Sequence, residues 1–211
     1  MSNAVRQEFL GNQDAYTLFR AEFDYYDRLH SEKYRDKNQT KASHLQKMAY
    51  NFSSDPDHEK AIGAALWWSR FLPAGRMQAA LGAQEREVSP FNCSVSQKVS
   101  DNIDSIYDAI KSAAKILRLG TGIGYNFSHL RPKGALVKKL QTEASGPISY
   151  MEIFEASAAT IASSGHRRGA QMGILNVNHP DIEAFIDAKL VPGKFRHFNL
   201  SVGVTDLFME A

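Results

Sequence analysis

The chain is poor in thiols: Cys93 is its one cysteine. That excludes an internal disulfide and agrees with a reducing compartment. It has no run of about 18 apolar residues, so no membrane-spanning helix is expected. The N-terminus, Met1-Ser2-Asn3-Ala4-Val5-Arg6-Gln7-Glu8, has no apolar stretch of signal-peptide length. The expectation is a soluble, cytoplasmic protein. Excess charge of one sign is also missing: 25 Lys and Arg face 23 Asp and Glu, a net charge of +2. No global field argues for direct nucleic-acid binding, although a local cluster of Arg and Lys can still hold a small anion. The seven histidines are scattered, and none pairs at i, i+4 around an acid, so no metal site is expected. There is no G-x-S-x-G nucleophile elbow, no internal repeat and no low-complexity tract.

What is present is ordinary for a globular protein that buries a sizeable core: 43% apolar and 23% charged residues over 211 positions. Residues 1–70 read as a polar-rich helical region. Tyr16, Phe19, Phe23, Tyr26 and Leu29 recur at three- and four-residue steps. Residues 32–43 read as a charged loop or solvated stretch. Further helices are expected over 42–52 and 58–71, the latter packing through Ile62, Ala65, Leu66, Trp68 and Ser69. From Leu72-Pro73-Ala74-Gly75-Arg76 onward, strand and helix patterns alternate. Strands are expected at 91–95, within 122–130, at 170–177 and at 198–204. Between them fall three helices. The first spans 101–119, with Asp101 as N-cap, Gly120 as stop, and an apolar stripe of Ile103, Ile106, Tyr107, Ile110, Ala113, Ala114 and Leu117. The second opens at Pro147 and stops at Gly165. The third opens at Pro180, with Ile182, Phe185 and Ile186 packing. Thr205-Asp206 caps a further helix. Strand–helix–strand repeats of this kind imply parallel pairing and an α/β architecture. The stop five residues into that last helix suggests a truncated or split chain.

Three segments carry candidate chemistry. Cys93 lies in Pro90-Phe91-Asn92-Cys93-Ser94-Val95. A lone thiol is either a small buried apolar group or half of a chemistry completed elsewhere. Asn92 beside it is a poor strand residue and favours a site. Gly120-Thr121-Gly122-Ile123-Gly124 follows a helix and precedes a strand. A dinucleotide loop requires the opposite order, so that reading fails. Either a helix stop with a turn or a close approach of ligand to backbone remains. His166-Arg167-Arg168-Gly169, with Arg131, Lys133 and Lys138, is either a solvated basic surface or a phosphate grip in which Asp101 holds ribose hydroxyls.

In order, these segments resemble the catalytic chain of ribonucleotide reductase. The resemblance rests on 72–76, on Phe91-Asn92-Cys93, and on the run from Gly122-Ile123-Gly124-Tyr125-Asn126-Phe127 to Arg131-Pro132-Lys133-Gly134. It continues through Arg167-Arg168-Gly169-Ala170-Gln171-Met172, His179-Pro180-Asp181-Ile182-Glu183-Ala184-Phe185-Ile186 and Phe198-Asn199-Leu200-Ser201-Val202. It covers roughly 71–211 and is closest to the adenosylcobalamin-dependent class; a class with a radical-generating metal partner subunit is the alternative. It implies an N-terminal helical region (1–70) followed by the first part of a ten-stranded α/β barrel (71–211). The implied activity is thiyl-radical reduction of the ribose 2′-carbon with a redox cysteine pair. Cys93 would be the member of that pair on the first barrel strand. Ala74, Gly75 and Arg76 would help hold substrate phosphates, and Asn92, Thr121 and Gly122 would lie around the substrate. Asp101, Arg131 and Lys138 would bind a deoxynucleoside triphosphate effector, and Arg168 would relay its identity.

The implied partners are a ribonucleotide, a thioredoxin or glutaredoxin-type reductant and a second copy of the chain. The sequence departs from the family's pattern in lacking the radical-bearing cysteine, its neighbouring Asn and Glu, and the second redox cysteine. The family's N-terminal ATP cone is not evident either. The expectation is that the chain alone is inactive and needs a complementing C-terminal portion. The alternatives are a non-catalytic nucleotide-binding module that retains the effector loops, and a plain α/β domain.

Overall fold

The computed structural model describes residues 27, 28, 30–161 and 170–211. The chain divides into two compact units, Met1–Pro90 and Phe91–Ala211. The sequence-based boundary at 70/71 therefore lies inside the first unit. The expected helix through Tyr16, Phe19, Phe23, Tyr26 and Leu29 lies outside the described residues.

In the first unit, local capping sets the helix starts. Helix α1, Lys41–Phe52, begins where the Thr40 hydroxyl accepts the Ser43 N–H. Helix α2, Pro56–Trp67, begins where the Asp55 carboxylate accepts the N–H groups of Asp57 and His58, with Pro56 in the first turn. Helix α3, Gly75–Leu81, follows Ala74. Leu45, Met48, Ala49 and Leu66 form a small core, with Phe52, Ile62 and Leu81 against it. One sequence expectation fails here: Trp68 and Ser69 are exposed rather than packed, because α2 ends at Trp67 and its buried contact is Leu66. The 32–43 stretch is irregular over 34–40 and exposed or half-buried, as expected, with one buried residue in it, Asp36. Its carboxylate accepts the N–H groups of Gln84 and Glu85 and the Arg86 guanidinium, at 2.7 to 2.9 Å. Burial alone would raise the Asp36 pKa, but these donors outweigh it and hold the carboxyl below its usual range.

The second unit is a parallel sheet clad by helices. Its strands are β1, Cys93–Val95; β2, Gly122–Asn126; β5, Gln171–Asn176; and β6, Phe198–Gly203. Their order is β1-β2-β5-β6, and every pair is parallel. Each strand reaches its neighbour through a helix: α4, Ile103–Arg118; α5, Pro147–Thr160; and α6, Ile182–Asp187. This is the connection that parallel pairing requires. A small antiparallel hairpin, β3 (Leu136–Val137) with β4 (Thr142–Glu143), stands between β2 and α5. A last short helix, α7, Asp206–Met209, starts at Thr205, whose hydroxyl accepts the Phe208 N–H.

The helices cover one face of the sheet. Ile123 and Tyr125 of β2, Leu175 of β5 and Phe198 of β6 share a single core. Against them pack Ile106, Ala109, Ala113 and Leu117 of α4, Met151, Phe154 and Ala158 of α5, and Phe185 of α6. The period of two along each strand then sends Gly122, Gly124 and Asn126 to the opposite face. By register, Cys93 and Val95 join them from β1, Met172 and Ile174 from β5, and Asn199 and Ser201 from β6. No described helix covers this second face, and Val95 on it is 90% exposed.

Several sequence expectations shift at this level. The N-cap of α4 is Asn102, whose side chain accepts the Ser105 N–H; Asp101 points instead to Arg131. Of the expected α4 stripe, Ile103 and Tyr107 are exposed, because the helix turns its 106–109–113–117 face to the sheet. Ile186 of α6 is exposed while Phe185 is fully buried. Gly120, at φ +79°, ends α4 as expected. Helix α5 ends at Thr160, and residues 162–169 lie outside the described residues.

The first unit carries a pH dependence. His30 and His44 are buried edge to face, 4.6 Å between ring centroids. Burial, followed by nearby positive groups, lowers each pKa from 6.5 to about 4. The fold thus favours neutral rings, so stability is full above pH 6.5 and is lost as pH falls from 6.5 toward 4. Both tryptophans of the chain, Trp67 and Trp68, lie in this unit. Tryptophan-monitored melting is expected to drop by roughly 5 °C or more across that window. A flat profile would refute the assignment.

Candidate active site

Cys93 opens the edge strand β1 and is exposed. Its register partner is Gly122, and Val95 faces Gly124 two residues on. The thiol therefore stands beside two glycines on the uncovered face of the sheet, not among hydrocarbon side chains. The glycine run divides by role: Gly120 stops the helix, whereas Gly122 and Gly124 keep the ground beside the thiol low.

The backbone around Cys93 is held firmly. The Gly122 N–H donates to the Asn92 carbonyl at 2.8 Å. Thr121 is buried, and its hydroxyl donates to the Phe91 carbonyl at 2.8 Å. The hydroxyl is thus committed to shaping the strand start. Asn92 is exposed beside the cysteine. Ala170 closes the other side: a Cβ at Gly122 would lie 3.1 Å from the Ala170 carbonyl oxygen. That oxygen is itself pinned by the Ile123 N–H at 3.1 Å.

A second cluster lies at the start of α4. The Arg131 side chain donates through Nε to Asp101 Oδ2 at 2.6 Å, and its backbone N–H reaches Oδ1 at 3.3 Å. The two residues read from the sequence as a nucleotide grip are therefore in contact, half-exposed. Lys138 is exposed in the turn between β3 and β4. This hairpin is moored at its base. His179 is buried, donates through Nε2 to the Leu130 carbonyl at 2.9 Å and accepts the Asp181 N–H on Nδ1. Asp181 in turn accepts the Lys133 N–H at 2.9 Å. His179 is accordingly a structural tie rather than a metal ligand. Among the described residues no three His, Cys, Asp or Glu side chains gather as a metal site. None of the described helices is long and apolar enough to cross a membrane.

Ala74, Gly75 and Arg76 belong to the other unit, where they open α3 with the Tyr34 ring against Gly75. Arg168 lies outside the described residues. Sequence reasoning missed the buried side-chain pair of Tyr125 and Gln171, whose hydroxyl and amide meet at 2.8 Å. A glutamine opening an otherwise apolar strand was the available signal.

The family model for the ribonucleotide reductase barrel domain matches residues 91–211, the whole of the second unit. The chain belongs to the ribonucleotide reductase family. The vitamin B12-dependent ribonucleoside-diphosphate reductase of Mycobacterium tuberculosis is 46% identical over 114 residues, which is 54% of this chain and 16% of that protein. The enzyme of the same name from Thermoplasma acidophilum is 48% identical over 113 residues, 53% of this chain and 15% of that protein. The alpha subunit of the Actinobacillus ureae class Id ribonucleotide reductase superposes with a TM-score of 0.73 at 17% identity, covering 86% of this chain and 33% of that one. That likeness shows the shared fold, of which this sheet is an incomplete barrel. The matched region of this chain is about a sixth of the length of its curated reductase relatives.

The two site glycines differ in tolerance. Gly122→Ala pushes a methyl against a hydrogen-bonded carbonyl and is expected to cost about 1–3 kcal/mol. Gly124→Ala meets nothing closer than 3.7 Å and is expected to change stability by less than about 0.5 kcal/mol. Urea midpoints of the two variants test the contrast, and equal midpoints would contradict it.

Proposed function

We propose that the chain supplies the first part of the catalytic barrel of a ribonucleotide reductase, with Cys93 as one thiol of its reducing pair. The observation that carries this is the exposed sulfur on the uncovered sheet face, beside Gly122 and Gly124, in the segment matched to the barrel domain. The reaction balances with two thiols: the ribose 2′-hydroxyl leaves as water, a hydrogen takes its place on carbon, and the thiols become a disulfide. An external dithiol of thioredoxin or glutaredoxin type then resets the pair by exchange. The second thiol belongs to the complementing C-terminal portion of the catalytic chain.

Within this reading the site residues take the following roles. Asn92 and the backbone at Thr121 and Gly122 border the ribose. Ala74, Gly75 and Arg76 contribute to phosphate binding. Asp101, Arg131 and Lys138 hold a deoxynucleoside triphosphate effector, and Arg168 relays its identity to the substrate. The Arg131–Asp101 contact supports an effector site because it presents a guanidinium and a carboxylate together at the base of a hairpin that also carries Lys138. The two-unit division leaves the proposed domain limits, 1–70 and 71–211, as a reading of the sequence pattern. A cytoplasmic location and a homodimer complete the proposal.

The vitamin B12-dependent relatives point to adenosylcobalamin, which supplies the initiating radical when bound. The described residues do not form a cradle for it. Among the described residues, the face around Cys93 presents Gly122, Gly124 and Met172 with no histidine, and His179 is taken up by Leu130 and Asp181.

Two measurements test the reading. At a hundredfold excess over its Kd, an effector stabilises its site by about 2.7 kcal/mol. Millimolar deoxynucleoside triphosphate is therefore expected to raise the melting temperature by roughly 5 °C or more, and Asp101→Asn is expected to remove the shift. No shift for any of the four nucleotides would count against an effector site. Co-expressed with the rest of the barrel, the chain is expected to give dithiol-dependent turnover that Cys93→Ser reduces to background. Turnover untouched by Cys93→Ser would remove Cys93 from the mechanism.

A further inference from the structure

Gln171 is the first residue of β5, and its amide is almost completely buried. Both ends of that amide are used. Its Oε1 accepts the Tyr125 hydroxyl at 2.8 Å, and its Nε2 donates to the Phe154 carbonyl at 3.2 Å. The Tyr125 phenol is buried, which pushes its pKa up, so the hydroxyl keeps its proton. One side chain thus ties together three elements: β2, α5 and β5. The backbone at the same residue adds a fourth, because the Gln171 N–H donates to the His197 carbonyl at 2.7 Å, just ahead of β6. His197 is held in turn by Glu155 of α5, which accepts its backbone N–H at 3.2 Å and its Nδ1 at 2.9 Å.

The location of this tie gives it meaning. Phe154 precedes the connection from α5 to β5, and Gln171 follows it. The Gln171–Phe154 bond therefore fixes the start of β5 against the middle of α5. One residue before Gln171 stands Ala170, whose carbonyl accepts the Ile123 N–H and whose atoms lie over Gly122, the register partner of Cys93. A buried amide with two partners costs little while both are kept and far more once one is lost. Such an arrangement resists small displacements more sharply than apolar packing does.

We propose that Gln171 is a positioning residue. Through Tyr125 and Phe154 it fixes Ala170 against Gly122, and so sets the sheet surface beside which Cys93 works. The functional half of this inference rests on the reductase reading; the structural half does not.

The test uses three variants. Gln171→Met keeps the shape and loses both hydrogen bonds. Tyr125→Phe loses one and is the milder probe should the first fold poorly. Gln171→Glu, held neutral by burial, can make both bonds again, with its carboxylic proton donated to the Phe154 carbonyl. In the chain itself, amide exchange is read at Ile123, whose N–H donates to Ala170, and at Phe127, whose N–H donates to Ile174 at the far end of the same strand pair. In Gln171→Met, exchange at Ile123 is expected to rise roughly tenfold while Phe127 stays unchanged. In the barrel completed by co-expression, KM for a ribonucleoside diphosphate is expected to rise about tenfold with kcat within about twofold. Gln171→Glu is expected to restore KM at low pH and to lose that rescue as pH rises and its carboxyl ionises. Parallel loosening at Ile123 and Phe127, unchanged exchange at both, or local loosening with unchanged KM would overturn the positioning role. Absence of dithiol-dependent turnover in the completed barrel would instead sink the reductase reading and leave the exchange result standing.

Discussion

The parallel register between β1 and β2 is the constraint on which the rest depends. It sets Cys93 opposite Gly122 and Val95 opposite Gly124. A slip of one residue would turn the thiol into the helix-covered core and bring Ser94 to the open face, because side chains alternate. The register is enforced from the core side, where Ile123 and Tyr125 are buried under α4 and α5. The same burial that stabilises the sheet therefore decides which way the sulfur points.

Around that register, buried polar groups act as fasteners. The Thr121 hydroxyl closes on Phe91, Gln171 joins β2, α5 and β5, and His179 with Asp181 moors the segment from Leu130 to Lys133. Each takes up backbone or side-chain groups that would be costly to bury unpaired. All three lie next to parts of the chain that carry candidate chemistry. Apolar packing provides most of the cohesion, and the polar ties choose among arrangements that packing alone would allow.

The uncovered sheet face sets this unit apart from a finished α/β domain. Parallel sheets are normally covered on both faces. Among the described residues of this unit, one face carries Val95, Met172, Ile174, Asn199 and Ser201 without a covering helix, and β1 and β6 each have one side unpaired. The Actinobacillus ureae subunit, three times as long as the region that superposes on it, shows this fold as part of a larger whole. A barrel closes both deficits at once, since it buries an inner face and abolishes edges.

The four sheet strands and the helices between them, the parallel pairing, the stop at Gly120 and the cap at Thr205 were legible in residue pattern alone, because periodicity and capping are local; the β3–β4 hairpin and helix α3 were not. The ordered motifs also pointed to the family and to Cys93. Which face of α4 packs was not legible: Ile103 and Tyr107 fit its apolar stripe, and only the sheet's position selects Ile106, Ala109, Ala113 and Leu117 instead. Asp101 had the chemistry of an N-cap, yet Asn102 fills that role while Asp101 takes Arg131, thirty residues away. Nor could a sequence show that Gln171 reaches Tyr125, forty-six residues earlier. Local propensity settles what each segment becomes; contacts between distant segments settle which side chains are spent on structure and which, like the Cys93 thiol, stay exposed.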